Sequence, residues 1–136
     1  MFKQICFFRK NPNMSAEAFL DYYENQHSQL SKRQGRAPSI PNAVRYVRRY
    51  LVPEKNPVTN EIHDPGYDCI MEIWWKSRED FEASQRVISS PDRIDFVKED
   101  EAVLFASHAN PVCSVIEYDS PMGPNGESTH VKVVHL

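Results

Sequence analysis

The run at residues 67–75, YDCIMEIWW, constrains the fold more than any other stretch of the chain. It is rich in β-branched and aromatic residues and has no breaker, so it reads as a strand. Tyr67, Cys69, Met71, Ile73 and Trp75 share one face, and Asp68, Ile70, Glu72 and Trp74 share the other. With both faces largely apolar, both sides of the sheet must be covered. At 136 residues the chain is sized for one domain with one core.

The remaining elements follow from similar patterns. FKQICFFR, residues 2–9, is a second strand, closed by the turn residues Asn11, Pro12 and Asn13. Ser15 is a good N-cap, and Glu17 puts a negative charge in the first helical turn, where the dipole favours it. In that helix Leu20, Tyr23 and His27 fall at i, i+3 and i+7, and Phe19 to Tyr23 is an i+4 step. An apolar helix face therefore ends in an imidazole. Residues 31–41 turn polar, with Gly and Pro among them, and read as a loop.

NAVRYVRRYLV, 42–52, alternates as a strand, with Val44, Tyr46, Arg48 and Tyr50 on one face and Arg45, Val47, Arg49 and Leu51 on the other. A proline-bearing loop, 53–66, leads into the 67–75 strand. Ser77 with Asp80 resembles a capping box opening a helix from Arg78 to about Ile88. Ser90-Pro91-Asp92 reads as an N-cap followed by proline at the first helical position. The helix it opens should run to about Ser107, with Ile94, Val97, Val103 and Leu104 as its apolar positions. VCSVIEY, 112–118, is expected as the last core strand, and HVKVVHL at the carboxy end as an added edge strand.

This order predicts an α+β fold over residues 1–118, a ferredoxin-like antiparallel sheet with helices on one face, followed by a tail at 119–136. Such a domain leaves its other sheet face bare. Ile70 and Trp74 lie on that face, which predicts cover by a twin subunit in a homodimer.

Composition narrows the function classes. A net charge of −3 without a basic face argues against general nucleic-acid binding. No stretch approaches the ~20 apolar residues of a membrane helix, and MFKQICFFRK has no signal-peptide h-region. Cys6, Cys69 and Cys113 are odd in number and lie in apolar strands, the pattern of buried thiols in a reducing compartment. A cytoplasmic location is expected. His63 and Asp64 adjoin in a loop, but no repeated His or Cys spacing points to a metal. Neither a phosphate loop nor a G-x-S-x-G elbow is present, so no cofactor is expected.

The candidate chemistry is small. An imidazole accepts and returns a proton near neutrality, so His27 can act as a general acid/base; it can also simply stabilise a helix carboxy terminus. Tyr46 can hydrogen-bond a developing oxyanion or pack as an amphipathic strand tyrosine. Arg48, on the same face, can hold a substrate carboxylate or pair within the protein. Asp68 and Glu72 are ~13 Å apart along a strand, too far for a catalytic carboxylate pair. Together with Arg45 and Arg49 they are expected to form cross-strand ion pairs at the dimer surface.

The strand ending Phe-Phe-Arg-Lys, the helix MSAEAFLDYYENQH, the block YDCIMEIWWKSREDFEAS and the segment DFVKEDEAVLF, in that order and spacing, resemble EthD-domain proteins. The resemblance covers roughly residues 2–118. It implies the dimeric α/β barrel, in which two ferredoxin-like sheets pack together. Relatives include muconolactone-type isomerases and enzymes that dehydrate or decarboxylate polyketides. A methylmuconolactone isomerase of this kind carries a histidine matching His27 and a tyrosine matching Tyr46; its third-strand cysteine is matched here by Ile73, with Cys69 four residues away.

The resemblance thus implies a cofactor-independent lyase or isomerase acting on a small oxygenated, cyclic or aromatic-pathway metabolite. His27 would be the acid/base and Tyr46 would stabilise an enolate, with Tyr23, Arg48, Cys69, Met71, Ile73 and Phe96 around the substrate. A non-catalytic dimeric protein that binds a hydrophobic metabolite and a cofactor-free monooxygenase are the alternatives.

Overall fold

A computed structural model describes residues 1–36 and 40–135. The expected loop at 31–41 therefore lies partly outside the described residues, as does the last residue of the expected edge strand. The elements are β1 (Phe2–Phe8), α1 (Ala16–Asn25), a 3-10 turn (His27–Gln29), α2 (Leu30–Arg33), β2 (Ala43–Tyr50), β3 (Cys69–Trp75), α3 (Arg78–Ile88), α4 (Ile94–Leu104), β4 (Val112–Ser114), β5 (Glu117–Asp119) and β6 (Val133–His135).

Four strands form an antiparallel sheet in the order β2-β3-β1-β4. The fold is α+β, and this main sheet is open rather than closed into a barrel. Along β3, Cys69, Met71, Ile73 and Trp75 are buried beneath the helices, as the alternation predicts. They join Cys6 and Phe8 of β1, Phe19 and Tyr23 of α1, and Leu104 and Phe105 in a single core. Gln4 is buried in this core because its amide has partners: Trp75 Nε1 donates to its carbonyl at 3.2 Å.

The helix starts follow side-chain chemistry. Ser15 Oγ accepts from Ala18 N at 3.1 Å and opens α1; Ser77 Oγ accepts from Asp80 N at 3.1 Å and opens α3. Ser90 does not cap α4. Its hydroxyl donates back to Val87 O, and its carbonyl accepts from both Arg93 N and Ile94 N, so residues 90–93 form a turn and α4 begins at Ile94.

Other expectations shift for local reasons. The buried face of α1 is Phe19 and Tyr23, with Leu20 at the rim, 44% exposed. An irregularity between Ala43 and Arg45 lets β2 take an extra residue, which turns Val44 out to solvent and leaves Tyr46 and Tyr50 against the core. The segment at 31–41 is not loop throughout, since Leu30–Arg33 is a short helix. The run at 112–118 breaks into two exposed pieces: β4 adds to the edge of the sheet, and β5 pairs with β6 in a separate ribbon. Cys113 is consequently exposed rather than buried, whereas Cys6 and Cys69 are buried thiols.

Of the four charges expected to pair across β2 and β3, one pair forms, Arg49 to Glu72 at 2.8 Å. Asp68 instead accepts from Lys10 N at 2.8 Å, and Arg45 lies over the Trp74 ring. Among the described residues, no helix is long and apolar enough to cross a membrane.

Candidate active site

The candidate site lies where α1 gives way to α2 and meets α4. Asn25 is the last residue of α1, and the chain tightens into the 3-10 turn that begins at His27. The imidazole sits edge-on to Tyr23 (centroids 4.8 Å apart) and Phe105 (5.6 Å). Its side chain is 16% exposed, so one edge reaches solvent while the rings fix its plane.

The opposite edge meets a carboxylate. His27 Nδ1 is 2.5 Å from Asp100 Oδ2, and the Asp100 side chain is only 1% exposed. α4 delivers Asp100 because Val97, Asp100 and Leu104 share the helix face buried against the core. Asp100 Oδ1 accepts from Arg33 Nη1 at 2.6 Å and from Tyr22 Oη at 2.8 Å. Burial alone would raise the carboxyl pKa. The bonds to His27, Arg33 and Tyr22 together outweigh it, and Asp100 titrates below the ordinary aspartate range.

An ionised Asp100 can only accept, so the network assigns the proton of the neutral ring to Nδ1 and leaves the Nε2 lone pair bare. Among the described residues, Nε2 makes no hydrogen bond. A partly exposed imidazole with one nitrogen fixed and the other open has the geometry of a general base.

A tyrosine pair lies beneath the ring. Tyr46 Oη donates to Tyr23 Oη at 3.0 Å, and Tyr23 is wholly buried. Burial pushes the Tyr46 hydroxyl up to about 12 and holds Tyr23 well above its usual value, so both phenols are neutral donors at physiological pH. Tyr23 thus connects Tyr46 of the second strand to His27.

A clamp stands beside them. Glu24 Oε1 accepts from Arg48 Nη2 at 2.5 Å, and Oε2 accepts from Arg48 Nε at 3.0 Å and Tyr50 Oη at 2.5 Å. Arg48 Nη1 also donates to Tyr46 O at 3.2 Å, so its guanidinium is engaged within the protein. Cys69, Met71 and Ile73 are packed in the core below, and burial pushes the Cys69 thiol up to about 12, which keeps it protonated. Phe96 is half-buried on α4 beneath the Arg33 guanidinium, 5.3 Å from ring centroid to Cζ.

The structure therefore brings His27, Tyr23 and Tyr46 together, with Arg48 alongside and Phe96 on the far side of Asp100. Sequence reasoning missed Asp100, Arg33, Tyr22, Glu24 and Tyr50. Asp100 had a signal, since an acid in register with Val97 and Leu104 interrupts an apolar helix face. Arg33 had none, lying in a stretch that reads as loop.

A cleft of about 1080 Å³ lies elsewhere. It lies between the C-terminal ribbon and the other sheet face, with Lys3, Trp74, Ile116, Glu117 and Val134 in its walls. Among the described residues, no group of three or more His, Cys, Asp or Glu is placed to hold a metal.

A family model described as EthD domain matches residues 11–108. The chain belongs to the EthD-domain family. That match takes in His27, Tyr46 and Asp100 and leaves the C-terminal ribbon outside. No curated protein matches the chain.

Proposed function

We propose that this EthD-domain protein is a cofactor-independent lyase or isomerase that moves a proton next to a carbonyl group on a small oxygenated, cyclic or aromatic-pathway metabolite. The carrying observation is the contact between His27 Nδ1 and the buried Asp100. In this reading His27 Nε2 takes the proton, and the imidazolium that forms is stabilised by the ionised Asp100. The ring then returns the proton to a different atom, or to a leaving group, which distinguishes isomerisation from elimination. Tyr46 serves the enolate oxygen as a neutral donor by turning its single O–H away from Tyr23 Oη, which it meets at 3.0 Å. Tyr23 holds both groups through its ring contact with His27 and its hydroxyl contact with Tyr46.

We further propose a homodimer formed through the outer sheet face, which carries Ile70 and Trp74 half-buried in the single chain. Light scattering should give twice the chain mass, and a monomer across micromolar concentrations would refute it.

The experiment for the catalytic reading is deuterium wash-in. Cyclic ketones and unsaturated lactones are incubated with the protein in D₂O and followed by proton NMR. Wild type should label carbon next to the carbonyl, and the folded H27Q variant should lose this by a factor on the order of 10²–10⁴. Equal labelling by both proteins would refute the role of His27.

A further inference from the structure

Arg33 stands on α2 with its guanidinium over Phe96 and Nη1 on Asp100 Oδ1 at 2.6 Å. Arg33 also interacts with the Tyr22 hydroxyl, and a third of the Arg33 side chain (33%) is exposed. A guanidinium carries five N–H donors in a planar fork. The exposed third of the side chain leaves part of this fork accessible to a ligand.

Its position relative to the Nδ1 edge of His27 is fixed by Asp100. His27 Nδ1 and Arg33 Nη1 bond the two oxygens of one carboxylate, which holds them within about 7 Å of each other. A second cation adjoins the same seam. Arg93 begins the helical face that continues through Phe96, and its Nη2 reaches Ser31 Oγ and Gln34 Oε1 at 3.4 Å each. Its buried Nε has no acceptor, and it has no carboxylate partner among the described residues. Arg33 and Arg93 thus place two guanidinium groups along this seam, Arg33 on the Asp100 carboxylate and Arg93 on the neutral groups of Ser31 and Gln34.

The other candidate cations are committed. Arg48 spends its fork on both oxygens of Glu24, and Arg49 pairs with Glu72.

We infer that Arg33 anchors a carboxylate of the substrate, so that the site takes small organic acids whose acidic C–H lies a few bonds from that carboxylate. This rests on His27 as the base, and it moves the anion-holding role from Arg48 to Arg33. One planar cation can serve two carboxylates on different edges, Asp100 on one and the substrate on another.

The test is direct binding, without turnover. Histidine-¹³C-labelled protein is titrated with benzoate, phenylacetate and 4-oxopentanoate, and with the primary amide of each, reading the His27 Cε1–H resonance. At least one acid should bind about tenfold or more tightly than its amide. Arg33→Gln should weaken that acid about tenfold or more and leave the amide within about twofold. Arg36→Gln, which removes an exposed neighbour paired with Asp92, should change neither.

Acids that bind no better than their amides would overturn the inference. So would R33Q binding the acid as wild type does, or R36Q losing as much as R33Q. If R33Q does not fold, R33K carries the same comparison, since it keeps the charge and loses the fork; wild-type acid affinity in R33K would count against the inference. The deuterium result for H27Q is a separate observable, so failure of the base and failure of the anchor are distinguishable.

Discussion

His27 and Asp100 are 73 positions apart, yet Nδ1 and Oδ2 lie 2.5 Å from each other. The contact exists because α1 ends two residues before His27 while α4 turns Asp100 inward with Val97 and Leu104. Replacing Asp100 by Asn keeps the shape and removes the charge that fixes the ring and stabilises its protonated form. We expect D100N to lower kcat by a factor on the order of 10²–10³ with a smaller change in KM, measured with any substrate found by deuterium wash-in. D100A should in addition cost about 3 kcal/mol of stability by urea unfolding, because it strands Arg33 and Tyr22.

Acid should destabilise the fold through the same carboxylate. Asp100 has a folded pKa below its unfolded value of about 3.9, the outcome of burial being outweighed by its three donors. Glu24 is also lowered, by Arg48 first and against burial, with Tyr50 assisting. A depressed folded pKa contributes stability that is fully present above the unfolded pKa and is lost as pH falls through the folded one. The urea midpoint of wild type should therefore fall steeply below about pH 4, and D100N and E24Q should each show a shallower fall. Identical slopes in all three proteins would contradict these assignments.

Tyr46→Phe removes the donor to a wholly buried hydroxyl. The expected cost is about 1 kcal/mol, with unchanged circular dichroism. If Tyr46 also serves an oxyanion, Y46F should lower kcat by a factor on the order of 10–100 while the His27 resonances stay in place.

The Glu24–Arg48 pair is a two-bond, charge-assisted contact, with each side chain less than a third exposed. A double-mutant cycle with E24Q and R48Q should give a coupling of about 1 kcal/mol, reduced by added salt. A coupling near zero would mean that the clamp is ornamental to stability and that Arg48 is free to act elsewhere.

Which features could be read from the chain alone follows from the range of the forces involved. Alternation along residues 67–75 located the core strand and its buried face, because pleat periodicity is local. The caps at Ser15 and Ser77 were equally local. Ser90 misled because its hydroxyl had a competing partner in the preceding helix, Val87 O. The extra residue at Val44 left no mark in an alternating sequence, since it becomes visible only in the pairing with Trp74 and Trp75. The register of Asp100 with Val97 and Leu104 was a signal, but one masked by its neighbours. Asp100 lies among Asp95, Glu99 and Glu101, and such a run reads as a solvated helix face until the neighbours of each position are known. Arg33 and Tyr22 reach it from other elements, a convergence that only the folded chain displays.

In the proposed mechanism Asp100 holds the His27 proton on Nδ1 and leaves Nε2 bare. Long-range ¹H–¹⁵N correlation spectra of histidine-labelled protein at neutral to mildly alkaline pH report this directly. The expected result is a pyrrole-type Nδ1 and a pyridine-type Nε2 at His27, with that distinction weakened or reversed in D100N. A pyridine-type Nδ1 in wild type, or a pattern that D100N leaves unchanged, would contradict it.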